Sequence, residues 1–300
     1  MTASHLSNCL IAVTGFVSPL TSWACATCTV GDPSLTVMGT EKNFAGRWRL
    51  STDFLYRDET IGIAGVNQRK VSESRIALGI SYAPTKDSVL SAQLPMVRKE
   101  LTNINLATAE QTAVGDISLS VKQFLYQDKP RHHAAGWLAG LRLPTGQEQH
   151  DDQGKPLDVD VQPGAGNWAP SLGGWYGYYH FPWFGYFSST VHYPVGEGYA
   201  DFTEGAALLT TAVLQYAPNY TVALQLGLDT RWSEKHRYAD VADEDSGGFI
   251  GFLSPGIVIN IAEDLLLHAT VQVPVLDQLH GEHEENTVYR LSLTYDFTSH

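Results

Sequence analysis

The sequence predicts an all-β membrane protein: a transmembrane antiparallel up-and-down β-barrel of about twelve strands, with long extracellular loops and short periplasmic turns. Three observations predict this fold. Apolar and polar residues alternate along many segments of about ten residues, which is the period of a strand with one lipid-facing and one lumen-facing side. The connections between these segments are alternately long and short. No run of eighteen or more apolar residues occurs, which excludes helical membrane spans.

The composition agrees with a barrel. The chain has 300 residues, of which 43% are hydrophobic and 17% are charged, with a mean hydropathy of −0.13. Soluble proteins usually contain about 25% charged residues. The 14 Tyr, 11 Phe and 7 Trp residues suit aromatic girdles at two membrane interfaces. The formal net charge of −13 argues against nucleic acid as a partner.

The N-terminal residues 1–24 have the features of an export signal. Residues 9–17 are apolar, and Ser22 and Ala24 supply small side chains at the two positions that a signal peptidase reads. The predicted organisation is therefore a signal peptide (1–24), a periplasmic N-terminal segment (25–44) and an outer-membrane barrel (45–300). The predicted location is the outer membrane of a Gram-negative bacterium.

The periplasmic segment contains the pair Cys25 and Cys28. Two cysteines exported to an oxidising compartment at this spacing favour a small disulfide or an inert thiol pair. Covalent haem attachment would require histidine at position 29, where the chain has Thr29. A metal half-site would require further ligands that this segment does not supply. We therefore expect no cofactor and no metal.

The clearest alternation lies in a hairpin over residues 205–232. One face of its second strand carries apolar side chains, namely Val222, Leu224, Leu226, Leu228 and Trp232. The opposite face carries small or polar residues, namely Ala223, Gln225, Gly227, Asp229 and Arg231. This alternation continues for about eleven residues, which is long enough for a tilted strand to cross a bilayer.

The same pattern predicts the remaining strands. They cover residues 45–57, 69–83, 89–97, 115–126, 136–143, 171–180, 184–193, 249–261, 265–275 and 288–297. In the hairpin over 171–193 aromatic residues occupy both faces, so the pattern does not decide which face points outward.

The connections alternate in length. Long loops are predicted near 58–68, 98–112, 144–162, 194–204, 233–246 and 276–286. Short turns are predicted near 84–87, 127–132, 181–183, 217–220 and 262–264. Outer-membrane barrels show this alternation because their turns on the periplasmic side are short. A soluble β-sandwich has no reason to follow it.

The predicted inner face carries charged side chains. The candidates for lumen-lining residues are Arg47, Arg49, Asp53, Arg75, Lys122, Arg142, Asp229, Arg231, Arg290 and Asp296. In one interpretation these charges pair with one another inside a partly packed barrel. In the other they form a basic constriction that favours anions. We favour the pairing interpretation.

Two short motifs resemble a known family. The strand end Gly140-Leu-Arg-Leu-Pro-Thr-Gly146 and the strand entry Gln162-Pro-Gly-Ala-Gly-Asn-Trp168 are similar to steps in the meta-pathway phenol-degradation family of outer-membrane transporters. The pair Gly115 and Asp116, which opens an earlier strand, fits the same pattern. The resemblance implies a barrel that passes small, often aromatic or apolar molecules. It extends, more distantly, to fatty-acid and aromatic-hydrocarbon channels.

The expected function is passive uptake or efflux of small, hydrophobic or aromatic molecules, without enzymatic activity. One alternative is a barrel that forms a sheath around a periplasmic or electron-transfer partner. Another is an outer-membrane lipid hydrolase, for which Ser188, Thr190 and His192 share one strand face, although no esterase signature surrounds them. The expected contacts are outer-membrane lipid, lipopolysaccharide and a small solute.

Four further histidines lie on predicted loops. His132 and His133 lie on a predicted loop at one end of the barrel, and His280 and His283 lie on a loop at the other end. These two pairs are too far apart to form one site. We expect all four side chains to be solvated.

Overall fold

The computed structural model describes residues 45–128 and 132–298. The predicted signal peptide and the Cys25–Cys28 pair lie outside the described residues. No helix within the described ranges is long and apolar enough to span a membrane.

Twelve antiparallel strands form the wall. They are β1 (Arg47–Ile61), β2 (Arg69–Thr85), β3 (Ser88–Asn103), β4 (Thr108–Val114 and Ser118–Asp128), β5 (His133–Arg142), β6 (Ala169–His180), β7 (Trp183–His192), β8 (Ala207–Tyr216), β9 (Val222–Ser233), β10 (Gly248–Ala262), β11 (Leu265–Leu279) and β12 (Val288–Thr298). Each strand pairs with its neighbour in the chain, and β1 also pairs with β12. The predicted closed barrel of twelve antiparallel strands is confirmed.

The outer surface is apolar over a band of membrane thickness. In β9, Leu224, Leu226 and Leu228 are 54%, 51% and 41% exposed and point away from the lumen. Aromatic side chains border the band near both ends of β1. At the end with short turns, the rings of Trp48 and Tyr82 lie 4.4 Å apart. A girdle of this kind marks the interface between lipid and water.

The opposite border of the band lies at Tyr56, whose ring is 6.4 Å from that of Tyr289. Eight residues separate Trp48 from Tyr56, which corresponds to about 20 Å along the membrane normal for a tilted strand. Beyond Tyr56 the outward positions become polar, and Asp58 forms an ion pair with Lys70 of the neighbouring strand at 3.6 Å. Residues of β1 beyond Tyr56 therefore lie outside the membrane, on the extracellular side.

Two predicted loops are wrong in part. Residues 98–112 are strand except for the tight turn 104–107, because β3 continues to Asn103 and β4 begins at Thr108. Residues 276–286 include the end of β11 and a short strand, His283–Glu285, which pairs with Glu59–Ile61 of β1. Both segments lie beyond the apolar band, where the outward side chains contact water and the apolar alternation is lost.

The fourth wall strand is interrupted at one place. Its two segments flank Gly115, Asp116 and Ile117, and both segments pair with β3. The amide of Gly115 still donates to the carbonyl of Pro95 across the interruption, at 2.9 Å. The interruption turns the Asp116 side chain toward the interior.

Apolar clusters fill parts of the barrel interior toward both ends. Two clusters lie toward the short turns. One consists of Ala217, Ala223, Val258 and Leu266, and the other of Phe124, Ala134, Trp175, Tyr186 and Val213. At the extracellular end two clusters form, from Leu55, Ile250, Phe252 and Val288 and from Ile61, Val71, Leu101 and Val161. The lumen is therefore partly packed.

The structure resolves the ambiguous hairpin β6–β7. Trp175 and Tyr186 point inward and are 4% and 3% exposed, with stacked rings 6.1 Å apart. Tyr176 and Phe187 point outward and are 44% and 46% exposed. Large aromatic residues occupy both faces because one set faces lipid and the other fills the lumen.

Candidate solute pathway and extracellular cap

A cavity of about 450 Å³ lies inside the barrel. Its lining extends from Arg47 and Ala83, near the periplasmic rim, to Pro163, Gly164 and Ala165 of a long extracellular loop. The lining includes eight of the ten charged candidates, namely Arg47, Arg49, Asp53, Arg75, Lys122, Arg142, Asp229 and Arg290. Of the other two candidates, Asp296 contacts Arg47 and Arg49 near the periplasmic rim, and Arg231 binds Glu285 of an extracellular loop.

Ion pairs neutralise most of these charges. Near the periplasmic rim, Arg49 binds Asp296 through two nitrogens at 2.7 and 3.0 Å, and Arg47 binds the same carboxylate. Further up, Glu73 lies between Arg57 and Arg75. This arrangement matches the interpretation in which lumen charges pair inside a partly packed barrel.

Lys122 is held by aromatic rings. Its ammonium lies 4.3 Å from the ring centroid of Trp175, 5.1 Å from that of Tyr186 and 5.6 Å from that of Phe124. A cation over the face of aromatic rings is attracted by their quadrupoles. The sequence predicted that Lys122 points inward, and Phe124, two residues further along the same strand, shares its face. It contained no signal for Trp175 and Tyr186, because these two rings come from other strands.

Asp229 contacts neutral donors. Its carboxylate accepts hydrogen bonds from Thr211 at 2.7 Å, from Gln272 at 2.9 Å and from Ser254. These donors come from β8, β11 and β10. This wall of the cavity is therefore polar and hydrogen-bonded.

The residues considered for a lipid hydrolase point the wrong way. Ser188, Thr190 and His192 share one strand face, as the spacing predicted, and all three line the cavity. A lipid hydrolase would need them on the side that faces lipid. This strand therefore does not support the hydrolase interpretation.

The roof of the cavity is organised by Asp116. One carboxylate oxygen accepts a hydrogen bond from the Gly146 amide at 3.0 Å. The other accepts from the amides of Ala165 and Gly166 at 3.0 and 3.4 Å. The three glycine-containing motifs noted in the sequence thus meet at one side chain, and together they hold the loop over 143–168 across the barrel mouth.

Glycine is required where this loop passes Asp116. A Cβ atom at Gly164 would lie 2.4 Å from the carboxylate carbon of Asp116, well inside contact distance. Gly166 has φ +72°, a conformation that side chains disfavour. These motif glycines therefore permit a close approach between the loop and the wall.

Arg142 links the loop to the wall from the other side. Its guanidinium donates to the Asn167 side chain at 2.9 Å and forms an ion pair with Glu204. It also lies 3.9 Å from Asp116. The sequence placed Arg142 among the lumen residues, but its role as a bridge between two loops was missed.

We use the name extracellular cap for the packed parts of the four long loops over 143–168, 193–206, 234–247 and 280–287. Within the cap, Phe202 is fully buried and its ring lies 5.3 Å from His236 and 5.1 Å from Tyr238. The strands Phe202–Thr203 and Arg237–Tyr238 pair with each other. The loops therefore pack as one layer over the barrel mouth.

His236 is buried in this layer as a neutral ring. Its Nδ1 accepts a hydrogen bond from the Gly205 amide at 2.9 Å. Burial lowers the pKa of His236 to about 4. A ring nitrogen that accepts a hydrogen bond cannot carry a proton. The hydrogen bond and the lowered pKa therefore both indicate that the His236 ring is neutral.

The loop over 143–168 is also tied to β2. Arg69 lies 3.2 Å from Asp158 and 3.3 Å from Asp160. Val161, next to Asp160, packs on Ile61 and neighbouring apolar residues of the wall. Burial, together with the nearby Asp158 carboxylate, raises the pKa of Asp160 well above its ordinary value.

The loop over 280–287 is tied to β1 by an ion cluster. His283 Nε2 lies 3.1 Å from a Glu59 oxygen and 4.0 Å from a Glu285 oxygen, and all three side chains are about 95% buried. Arg231 of β9 binds Glu285. The expectation that His283 is solvated is wrong, because the short strand over 283–285 brings it against the inner wall of β1.

This trio is the one group within residues 45–128 and 132–298 whose donor atoms are spaced closely enough for a metal ion. Arg231 already forms an ion pair with Glu285, and the positive charge of Arg57 acts on Glu59. A dication here would face two fixed positive charges. We therefore describe the group as an ion-pair cluster.

Comparison with known proteins supports the fold. No family model matches the chain, and no curated protein matches it. Among solved structures, the chain is similar to the COG4313 outer membrane channel from Pseudomonas putida F1, with a TM-score of 0.69 and 13% identity over 87% of this chain and 99% of that chain. The fold is that of a Gram-negative outer-membrane barrel.

A second similar structure is the translocator domain of the autotransporter NalP from Neisseria meningitidis. Its TM-score is 0.52, with 12% identity over 86% of this chain and 91% of that chain. At these identities the comparisons establish the architecture and not the solute.

Proposed function

We propose that the protein is a passive outer-membrane channel for small, hydrophobic or aromatic molecules. The observation that carries this proposal is the internal cavity, which extends from the periplasmic rim to the roof formed by residues 163–165. A barrel with a purely structural role would not need an internal cavity that can hold a small molecule and is lined by both polar and apolar side chains.

The lining suits small molecules with an apolar body. Carbon-rich side chains such as Ala77, Val89, Leu138 and Val213 alternate with hydroxyl, amide and paired charged groups. Ligand sites commonly combine an apolar lining with a few placed polar groups. The resemblance of the motifs around Gly146 and Gly164 to the meta-pathway family supports the same class of solute.

The extracellular cap is the element that controls entry in this proposal. It contributes Pro163, Gly164 and Ala165 to the cavity roof and Glu204 and Gly205 to the lining beside it. A solute that enters from outside must pass between the cap and the wall. The contacts of Asp116 and Arg142 therefore set the width of the entrance.

The test is conductance of the refolded mature protein in a planar bilayer, combined with swelling of liposomes in small aromatic solutes. We expect discrete conductance steps, and faster swelling with aromatic solutes than with sugars of similar mass. A folded barrel that shows neither conductance nor swelling, with the cap intact or with residues 150–157 deleted, would contradict the proposal.

A further inference from the structure

The ion cluster around His283 joins the barrel wall to a loop of the extracellular cap. One part is the rigid wall, represented by Glu59 of β1 and Arg231 of β9. The other part is the cap loop that carries His283 and Glu285. The short strand over 283–285 adds only three residue pairs to β1, so side-chain contacts contribute much of what holds this loop in place.

We propose that this cluster is a proton-operated latch, which holds the extracellular cap closed while the His283 ring carries two protons and loosens the cap when one proton is lost. The inference rests on the proposed channel function, since the cap controls the pathway described above.

The contacts of His283 are strongest when its imidazole ring is positively charged. With both nitrogens protonated, His283 donates to Glu59 and places its positive charge between the Glu59 and Glu285 carboxylates. A neutral ring can still donate one hydrogen bond, but the two buried carboxylates then lose the charge that lies between them. Arg231 binds Glu285, and the Arg231 and Arg57 charges also act on Glu59, so the His283 charge is one of three positive charges that balance the two carboxylates and the one that can be lost by titration.

The pKa direction agrees with this geometry. Burial alone would lower the pKa of His283, but its hydrogen bond to Glu59 and the charges of Glu59 and Glu285 raise it above the ordinary value. A group whose pKa is raised by folding contributes stability that is complete below its unfolded pKa, near 6.5. That stability is lost as the pH rises through the raised value.

The titratable groups beside His283 either also weaken the closed cap as the pH rises or do not change charge in this pH range. Burial raises the pKa of Asp160, and the Glu59 charge contributes to this rise, so a rise in pH also adds negative charge beside the latch. Burial likewise raises the pKa of Asp158. Arg57 and Arg231 stay charged throughout.

His236 is the opposing group. Burial lowers the pKa of His236 to about 4, and the charges of Arg231, His283 and Glu59 in the cluster also act on this ring. His236 therefore favours cap opening as the pH falls from 6.5 toward 4, and it contributes nothing above 6.5. The latch is best observed between pH 6.5 and 8.5, where His236 is neutral in both the closed and the open cap.

The wall contacts beneath the latch stay constant in this range. Arg57 and Arg75 both bind Glu73, and the Lys99 charge acts on the same carboxylate. These ion pairs lie within β1, β2 and β3. They therefore provide a fixed base to which the movable loop is attached.

The test measures hydrogen–deuterium exchange of the backbone over residues 280–287 and 157–167, corrected for intrinsic rates, in the refolded protein at pH 6.5 and 8.5. We expect exchange at 280–287 to be roughly tenfold faster at pH 8.5 for each unit by which the His283 pKa is raised. Identical corrected rates at the two pH values would overturn the latch.

Three variants separate the charge of His283 from its packing. His283→Gln removes the titration, and we expect fast exchange at both pH values. His283→Lys supplies a permanent charge, and we expect slow exchange at both. His280→Gln, in the same exposed loop, is the matched control and should respond as the wild type does. A His283→Gln variant that keeps the wild-type pH response, or a His283→Lys variant that loosens with pH, would contradict the proposal.

Conductance recorded on the same samples distinguishes the latch from the channel. Faster exchange and larger conductance at pH 8.5 support both proposals. Faster exchange without conductance at either pH supports the latch and refutes the channel. Conductance at both pH values with no change in exchange supports the channel and refutes the latch.

Discussion

Asp116 shows what a single side chain contributes to the pathway. It sits at the interruption of β4 and accepts hydrogen bonds from three backbone amides of the loop over 143–168. Hydrogen bonds to a charged acceptor contribute about 1.5–3 kcal/mol each. This carboxylate is therefore a main anchor of the loop, beside the contacts of Arg142 and Arg69.

The first prediction concerns Asp116→Ala. We expect the barrel to fold, exchange over residues 162–166 to accelerate, and single-channel conductance to increase, because the loop amides lose their acceptor. Gly164→Ala should have the same effect, since its Cβ would occupy the space of the Asp116 carboxylate. Asp152→Ala, which removes the same charge at an exposed position of the same loop, is the control. Unchanged conductance in both Asp116→Ala and Gly164→Ala would refute this role.

The second prediction concerns His236 and acid. Because burial lowers its pKa to about 4, the folded cap binds fewer protons than the open cap between pH 6.5 and 4. The cap should lose up to about 3 kcal/mol of stability over that range. Exchange over residues 202–206 measures the loss. His236→Asn keeps an acceptor for the Gly205 amide and should remove the acid sensitivity at this position; a variant as acid-sensitive as the wild type would contradict the assignment.

The sequence predicted which side of the wall a side chain faces, but not which residues it contacts. Alternation predicted that Lys122 and Asp229 face inward, because each strand has a fixed period of two, and both side chains line the cavity. It could not show that Lys122 lies among three aromatic rings or that His283 is buried. Those contacts depend on which strands meet across the lumen and on how the cap folds back.

The strands themselves follow the sequence pattern closely within the membrane and less closely outside it. In β9 the apolar residues that predicted a lipid-facing side are the exposed ones, including Leu224, Leu226 and Leu228. The predicted loop over 98–112 is strand because water, and not lipid, surrounds that part of the wall. The outward residues there are polar, so the apolar–polar alternation is lost although the backbone hydrogen bonds of the strand continue.

The third prediction tests the lipid-facing side of β9. Leu226→Arg should destabilise the barrel by about 2–4 kcal/mol, since a charge on the lipid face near the bilayer centre is costly. Gln225→Arg, one residue away on the lumen side, should cost much less because that side chain borders the cavity. Urea unfolding in lipid vesicles measures both. Equal destabilisation by the two substitutions would mean that the assigned register is wrong.

At the scale of the whole molecule, the wall is a continuous sheet and the cap is a separate layer. The wall closes through the pairing of β1 with β12, which leaves no free edge. The cap depends on ion pairs and hydrogen bonds at Asp116, Arg142, Arg69 and His283. This division allows the entrance to change while the wall stays fixed.

If the barrel conducts ions as proposed, the balance of its lumen charges sets its ion selectivity. The rim arginines Arg47 and Arg49 share the Asp296 carboxylate. Nearer the extracellular side, Glu73 forms ion pairs with Arg57 and Arg75. A pore whose charges are paired should discriminate weakly between anions and cations, whereas unpaired arginines favour anions. The pairing interpretation therefore predicts weak selectivity for the wild-type channel.

The fourth prediction follows from this balance. Asp296→Asn removes the carboxylate that Arg47 and Arg49 both contact, so the reversal potential in a salt gradient should shift toward anions. Glu263→Gln, an equal change of charge on the exposed turn between β10 and β11, should leave the reversal potential unchanged. If both variants shift it equally, selectivity reflects the overall charge of the protein and not the periplasmic rim. If neither variant shifts it, ions bypass the rim, and the arginines there serve only to join β1 to β12.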